Sequence, residues 1–345
     1  MGLKSYKDKN INRACEVKTA KILIFFLLGA CLAVPAAAQR ERYTISAVNG
    51  EFVVEEATLQ REVSFLADSL EGGRALGRRG HFEAGAWISR HFETFGLKPL
   101  NGVWAHSFRI GEERGRNLLG LFPGQSDKYV IVLAHYDCIG GLAGRLYPGA
   151  DSNASGVAAL LTLAQMFQHL KELGKTYSHT IIFAALDGKE QSLSGSHHLW
   201  NEIAGGLIRD PRTGLPVSPK SIDRMVNIDQ VGGTEAPLHK NRPDFLMMLC
   251  EPENGRRDAL LIANQSPEVS LDLGFDYYGS KDFTRVFYRT ISDQKPFLDH
   301  GIPSVMFTSG ITLRNNKASD DADSLDYGIL RRRVLAMFYY LVRVI

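Results

Sequence analysis

Four short stretches place metal-type ligands where apolar runs end. "VLAHYDC" supplies His135 and Asp137, "PGADSNASG" supplies Asp151, "LDGKEQSLSGS" supplies Glu190 with Lys189 beside it, and "MVNID" closes on Asp229. His135 and Asp137 stand two apart and point the same way along an extended chain. Asp137 can therefore hold the second imidazole nitrogen and fix its tautomer. Asp151 stands in a tight loop ahead of a helix whose amino-terminal dipole favours a carboxylate. One imidazole and three carboxylates at one sheet edge suit one or two divalent ions, and zinc is the common choice for mixed nitrogen and oxygen ligands. Taken singly, each residue has a blander use, because a lone strand-end histidine is usually a core residue and a lone loop aspartate a helix cap. Four at consecutive strand ends point to a metal.

Positioning them requires strands that alternate with helices. Residues 55–70 and 81–95 carry apolar residues at helical spacing, and the second run stops at Gly96, a normal terminator. "RNLLGLFPG" and "KYVIVLAH" read as strands, the latter apolar on both faces as in a central strand covered by helices. A helix follows from about Ala154 to Leu173, a strand at 179–186, and a helix at 194–204. "DRMVNIDQVGG", "DFLMMLCEP" and "IPSVMFTSG" read as further strands before a last helix over 324–343. This order predicts an α/β fold, a three-layer sandwich around a mixed, mostly parallel sheet. Ligands in such sheets gather at the carboxyl ends of the strands, where these polar residues fall.

The 345 residues are 44% hydrophobic with a net charge of +2, an ordinary globular composition with scattered basic residues. Nucleic acid is therefore not the expected partner, since phosphate binding wants a concentrated basic face. Lys18 and Lys21 precede an apolar run broken by Pro35 that ends in an A-x-A pattern at Ala36 to Ala38. We read residues 1–38 as a signal peptide and 39–345 as a single domain exported to the periplasm or outside the cell. The run is too short and interrupted for a stable membrane span. Lipoprotein anchoring at Cys31 is the competing expectation. Cys138 and Cys250 remain after cleavage, either as one disulfide or as two buried thiols. No G-x-S-x-G elbow supports a serine hydrolase.

The ordered set "HYD", "PGADSNASG", "EQSLSGS" and "NID" resembles the zinc peptidase family M-twenty-eight, which holds secreted aminopeptidases with glutaminyl cyclases as relatives. The resemblance covers most of residues 55–343, including "EGGRALGRRG" and "FGLKPL". It implies the zinc-exopeptidase (aminopeptidase/phosphorylase-like) architecture and a peptide or amino-terminal aminoacyl substrate. It further implies that His135, Asp151 and Asp229 hold one zinc, and that Asp151 bridges to a second zinc bound by Glu190 and a late histidine. A metal-bound water would be the nucleophile, its proton taken by a glutamate just before Glu190.

Three positions depart from that pattern. The base glutamate is Lys189, the late histidine is Asn316 in "TLRNNKASDD", and the histidine of an S-D-H-x-P-F segment is Gln294 in "SDQKPF". An amide is a poor zinc ligand, and an ammonium ~4 Å from a cation costs about 4 kcal/mol at an effective dielectric of 20. One zinc is therefore expected rather than two. Lys189 would then be the base or an electrophilic clamp, with Asp137 supporting His135, in an aminopeptidase-like hydrolase with an altered site. Alternatively, Lys189 replaces the second metal as counter-ion to Asp151 and Glu190, leaving a peptide-binding homologue without activity. Rescue of the missing ligand by His300 or Asp320, or a glutaminyl-cyclase-like acyl transfer, are further readings.

Overall fold

The apolar runs become the parallel centre of a mixed sheet. The computed structural model describes residues 46–48, 51–68, 73–235, 242–251, 254–277 and 280–345, with side chains from Val54 onward. Among them a sheet forms from β1 (Lys98–Pro99), β2 (Ala105–Ile110), β3 (Glu113–Phe122), β4 (Tyr129–His135), β5 (Thr180–Leu186), β6 (Ile222–Ile228), β7 (Phe245–Cys250), β8 (Asp272–Gly274) and β9 (Ser304–Thr308). The order is β8-β7-β9-β6-β4-β5-β3-β1, with β2 also paired to β3. Strands β9, β6, β4 and β5 are mutually parallel. Antiparallel neighbours, β7 on one side and β3 on the other, flank this centre.

Side-chain alternation sends each central strand into two cores. In β4, Val130, Val132 and Ala134 face one cluster, while Tyr129, Ile131 and Leu133 face the other. In β5 the division is Ile181, Phe183 and Ala185 against Ile182, Ala184 and Leu186. The first core is closed by α1 (Glu56–Leu66), α2 (Arg79–Thr94), α3 (Gly156–Glu172), α5 (Arg257–Ala263) and α8 (Tyr327–Val344). The second is closed by α4 (Ser194–Ala204) and α7 (Lys295–Asp299), and α6 (Lys281–Thr290) packs beside β7 in a third cluster. This is the three-layer α/β sandwich that the sequence predicts. Each large side chain fully buried here contributes about 1.5–3 kcal/mol.

Several boundaries differ for local reasons. Helix α2 ends as expected, with Gly96 at φ 73° and its N–H on the Glu93 carbonyl. The helix expected from Ala154 starts at Gly156, because residues 150–155 form a wider turn. Asn153 holds that turn, donating to the Ile228 carbonyl at 2.9 Å and accepting from the N–H groups of Gln230 and Gly156 at 2.9 and 3.1 Å. Strand β2 and helices α5 to α7 lie outside the elements read from the sequence, being short and rich in charge.

Cys138 and Cys250 are buried free thiols, so they form no disulfide. The expected signal peptide and Cys31 lie outside the described residues, which fall in one compact unit, Ile45–Ile345. Among the described residues no helix is long and apolar enough to cross a membrane.

Candidate metal centre

From β4 the chain crosses to β5 on one side, then returns to β6 on the other. The strand order reverses between β4 and β6, the crevice where ligands settle in open α/β sheets. His135 ends β4 and Asp229 follows β6, and the reversal brings them together, with Nε2 3.4 Å from Oδ1. Both side chains are buried. Nδ1–H of His135 donates to the backbone carbonyl of Asp137 at 3.1 Å, while the Asp137 carboxylate stands 3.6 Å away. The tautomer is thus fixed by the Asp137 carbonyl rather than by its carboxylate. That carboxylate instead accepts the Glu190 N–H at 3.1 Å.

Lys189 enters from the end of β5. Gly188, at φ 69°, turns the chain there, and a Cβ on it would meet Ile110 at 2.7 Å. Gly195 lets the turn close, since a Cβ there would lie 2.0 Å from the Asp187 carbonyl oxygen. Asp187 anchors the turn from below, with His81 Nε2 2.9 Å from its Oδ1 and the Arg116 N–H 2.7 Å from its Oδ2. So held, Lys189 places Nζ 3.4 Å from Asp229 Oδ2, its side chain 15% exposed.

The charges settle one another. Burial opposes ionisation of Asp229, but Lys189 and His135 hold its carboxyl far below the usual range. Burial and the Lys189 charge pull His135 down, yet Asp137 and Asp229 outweigh them and its pKa rises to about 9. Burial likewise works against Lys189, and Asp229, Glu190, Asp293 and Asp137 raise it in spite of that. The surrounding carboxylates thus favour charge on both His135 and Lys189, and both side chains lie against Asp229.

Sequence reasoning passed over the floor of this site. Ser292 donates its hydroxyl to Asp229 Oδ2. Asn227 donates to Ser292 Oγ at 2.9 Å and to Gln294 Oε1 at 2.7 Å, and Gln294 Nε2 donates to the Tyr288 carbonyl at 2.5 Å. Gln294 therefore uses both ends of its amide, one as acceptor and one as donor, in a chain that orients Asp229. Asp293 is fully buried, with no hydrogen-bond partner for either carboxylate oxygen. Burial pushes it up to about 6, although His135 and Lys189 pull down. The glutamine of "SDQKPF" is legible as a departure from the family pattern, whereas Ser292 and Asp293 just before it are drawn into the site only by the fold.

The remaining expected ligands are elsewhere. Asp151 Oδ1 accepts the N–H groups of Gly232 and Gly233 at 2.9 and 2.8 Å, while Oδ2 is buried without a partner. Its amides come from that glycine pair, rather than from a helix terminus. Burial and the neighbouring Asp320 raise its pKa to about 7. Asp320 accepts the N–H groups of Asp151 and Ser152 at 2.7 and 3.1 Å, so it braces the turn. Glu190 and Asn316 are exposed. Lys189 pairs with Asp229, and not with Asp151 or Glu190 as the counter-ion expectation had it. His300 binds the Pro296 carbonyl through Nδ1 at 2.7 Å and stacks on Trp200.

A metal would be welcomed by His135 Nε2 and Asp229 Oδ1, both buried without hydrogen-bond partners. The rest of the set does not fit one. Asp151 keeps one oxygen, Oδ2, free of partners, but the Lys189 ammonium already lies on the other oxygen of Asp229, where it opposes a second cation. Among the described residues no group of three or more His, Cys, Asp or Glu converges as metal ligands do.

Residues 117–341 match the model for Peptidase family M28. The "Probable zinc metalloprotease" of Pyrenophora tritici-repentis (strain Pt-1C-BFP) is 26% identical over 310 residues, 77% of this chain and 67% of that protein. The BOS complex subunit NCLN of Gallus gallus is 29% identical over 182 residues, 49% of this chain and only 28% of that protein. Among solved structures, the Legionella pneumophila LapA aminopeptidase gives a TM-score of 0.63 at 15% identity, covering 84% of this chain and 72% of that one. An Acidobacteriales bacterium glutaminyl cyclase gives 0.61 at 17%, covering 88% and 96%. At such identities the structural likeness shows the fold. The match over 117–341 goes further, spanning His135, Asp151, Glu190 and Asp229, and the chain belongs to Peptidase family M28.

Proposed function

We propose that this chain is an exported member of the zinc exopeptidase fold that binds peptide amino termini, with Lys189 standing where a metal's charge would otherwise stand. The observation that carries the reading is the seat of Nζ, 3.4 Å from Asp229 Oδ2. A buried carboxylate needs a counter-charge, and here a tethered one is supplied. Glu190, exposed beside it, offers a carboxylate to an incoming ammonium. One relative is named as a complex subunit rather than as an enzyme, which agrees with a binding role in the family. Export rests on the basic residues, apolar run and A-x-A pattern of residues 1–38.

A second reading is an aminopeptidase-like hydrolase with one zinc. It is favoured by His135 Nε2 and Asp229 Oδ1, which face each other unbonded. Metal content and turnover separate the two. The first predicts little zinc after loading and dialysis, no hydrolysis of aminoacyl anilides, and saturable binding of a short peptide that amino-terminal acetylation abolishes. Stoichiometric zinc, lost together with turnover in His135→Ala, would replace it with the second.

A further inference from the structure

The carboxyl end of β7 opens onto a cavity of ≈ 400 Å³ beside α5 and α6. Strand β7 runs antiparallel to β9 and pairs Cys250 with Val305, whereas Ile228, just before Asp229, pairs with Phe307. The cavity thus lies towards the opposite end of the sheet from His135 and Asp229. Its size falls within the ~300–1,000 Å³ typical of small-molecule sites.

The lining combines an apolar wall with three cations and three acids, and the pairing of Glu251 with Arg289 outside it leaves one positive charge over. Cys250, Phe275 and Tyr288 form the wall, and the Tyr288 hydroxyl is already engaged, donating to the Ser304 carbonyl at 2.6 Å. Arg257, Lys281, Arg285, Asp276 and Asp282 share the lining, and none of these five is in an ion pair among the described residues. Glu251, also in the lining, is paired with Arg289. The guanidinium of Arg257 lies 5.0 Å from the centroid of Phe275, and its Nε is buried without a hydrogen-bond partner. A buried guanidinium N–H is costly to leave unbonded, and its planar fork matches a carboxylate.

We propose that this cavity binds a small amphipathic anion, a carboxylate on an apolar body. The carboxylate is taken by Arg257, and the apolar part lies against Phe275 and Tyr288. Lys281 and Arg285 add attraction without fixing geometry, since a flexible ammonium and a distal guanidinium act here as charges.

Isothermal titration of the full chain with decanoate and with decanol tests this. Decanoate should bind once per chain and decanol roughly tenfold more weakly, a gap that Arg257→Gln removes and Arg285→Gln narrows. Should Arg257→Gln fail to fold, ionic strength does the same work on the wild type, weakening decanoate and sparing decanol. The proposal is overturned by absence of saturable decanoate binding, by equal affinity for the alcohol, or by undiminished binding in folded Arg257→Gln.

Discussion

Replacing Lys189 by methionine removes the ammonium while keeping most of the apolar stem of the side chain. Unit charges 3.4 Å apart attract by about 5 kcal/mol at an effective dielectric of 20. Part of that is offset by the cost of burying the ammonium, so the loss on breaking the pair should be ~3–5 kcal/mol. Asp229, Asp137 and Asp293 then have His135 alone as a buried cation. In metal-free buffer, differential scanning fluorimetry should show Lys189→Met melting lower by on the order of 6–20 °C, at ~2–4 °C per kcal/mol. The same cluster should become a better cation site, so zinc should raise the melting temperature of Lys189→Met much more than that of the wild type. The reasoning is refuted if the variant melts with the wild type and zinc stabilises both equally. Lys189 would then not be seated on Asp229.

Other consequences are independent of zinc. Asn227→Ala frees Ser292 and Gln294 together and should cost ~1–3 kcal/mol in urea unfolding, with buried polar atoms left unpaired. His135, raised to about 9 against burial by Asp137 and Asp229, contributes stability fully present below pH ~6.5 and lost as pH rises through about 9. A urea midpoint falling across that window, and flat there in His135→Gln, is the expected profile. Glu202 is depressed to about 2 against burial by His106 and His198, which lie 3.4 and 3.5 Å away. Its contribution is present above pH ~4.5 and fades as pH falls towards 2, so Glu202→Gln should flatten the acid limb. Arg333, buried and donating to the carbonyls of Val231, Gly233 and Pro243, anchors the glycine pair that holds Asp151. Arg333→Met should therefore destabilise by ~3 kcal/mol or more, read from the same denaturation.

The sequence by itself determined the layers and the strand ends. The unbroken apolar runs of β4 and β5 and the long apolar stretches of α3 and α8 need no partner to be read, because composition and run length are local properties of the chain. It also determined that His135, Asp151, Glu190 and Asp229 would lie at loop junctions on successive elements, and that Lys189, Gln294 and Asn316 depart from the family pattern. It did not determine which of these side chains meet. Lys189 could have faced Asp151 or Glu190 on spacing alone; its pairing with Asp229 follows from the crossover that sets β6 beside β4 and from Gly188 turning the chain inward. Asp151 reads as a ligand at a helix start, yet one of its carboxylate oxygens is taken by the amides of Gly232 and Gly233, some eighty residues later in the chain, while the other is buried without a partner. Ser292, Asn227 and Gln294 orient Asp229 through hydrogen bonds that join β6 to the junction between α6 and α7. Such contacts depend on where the backbone has carried each group, and only the assembled fold fixes that.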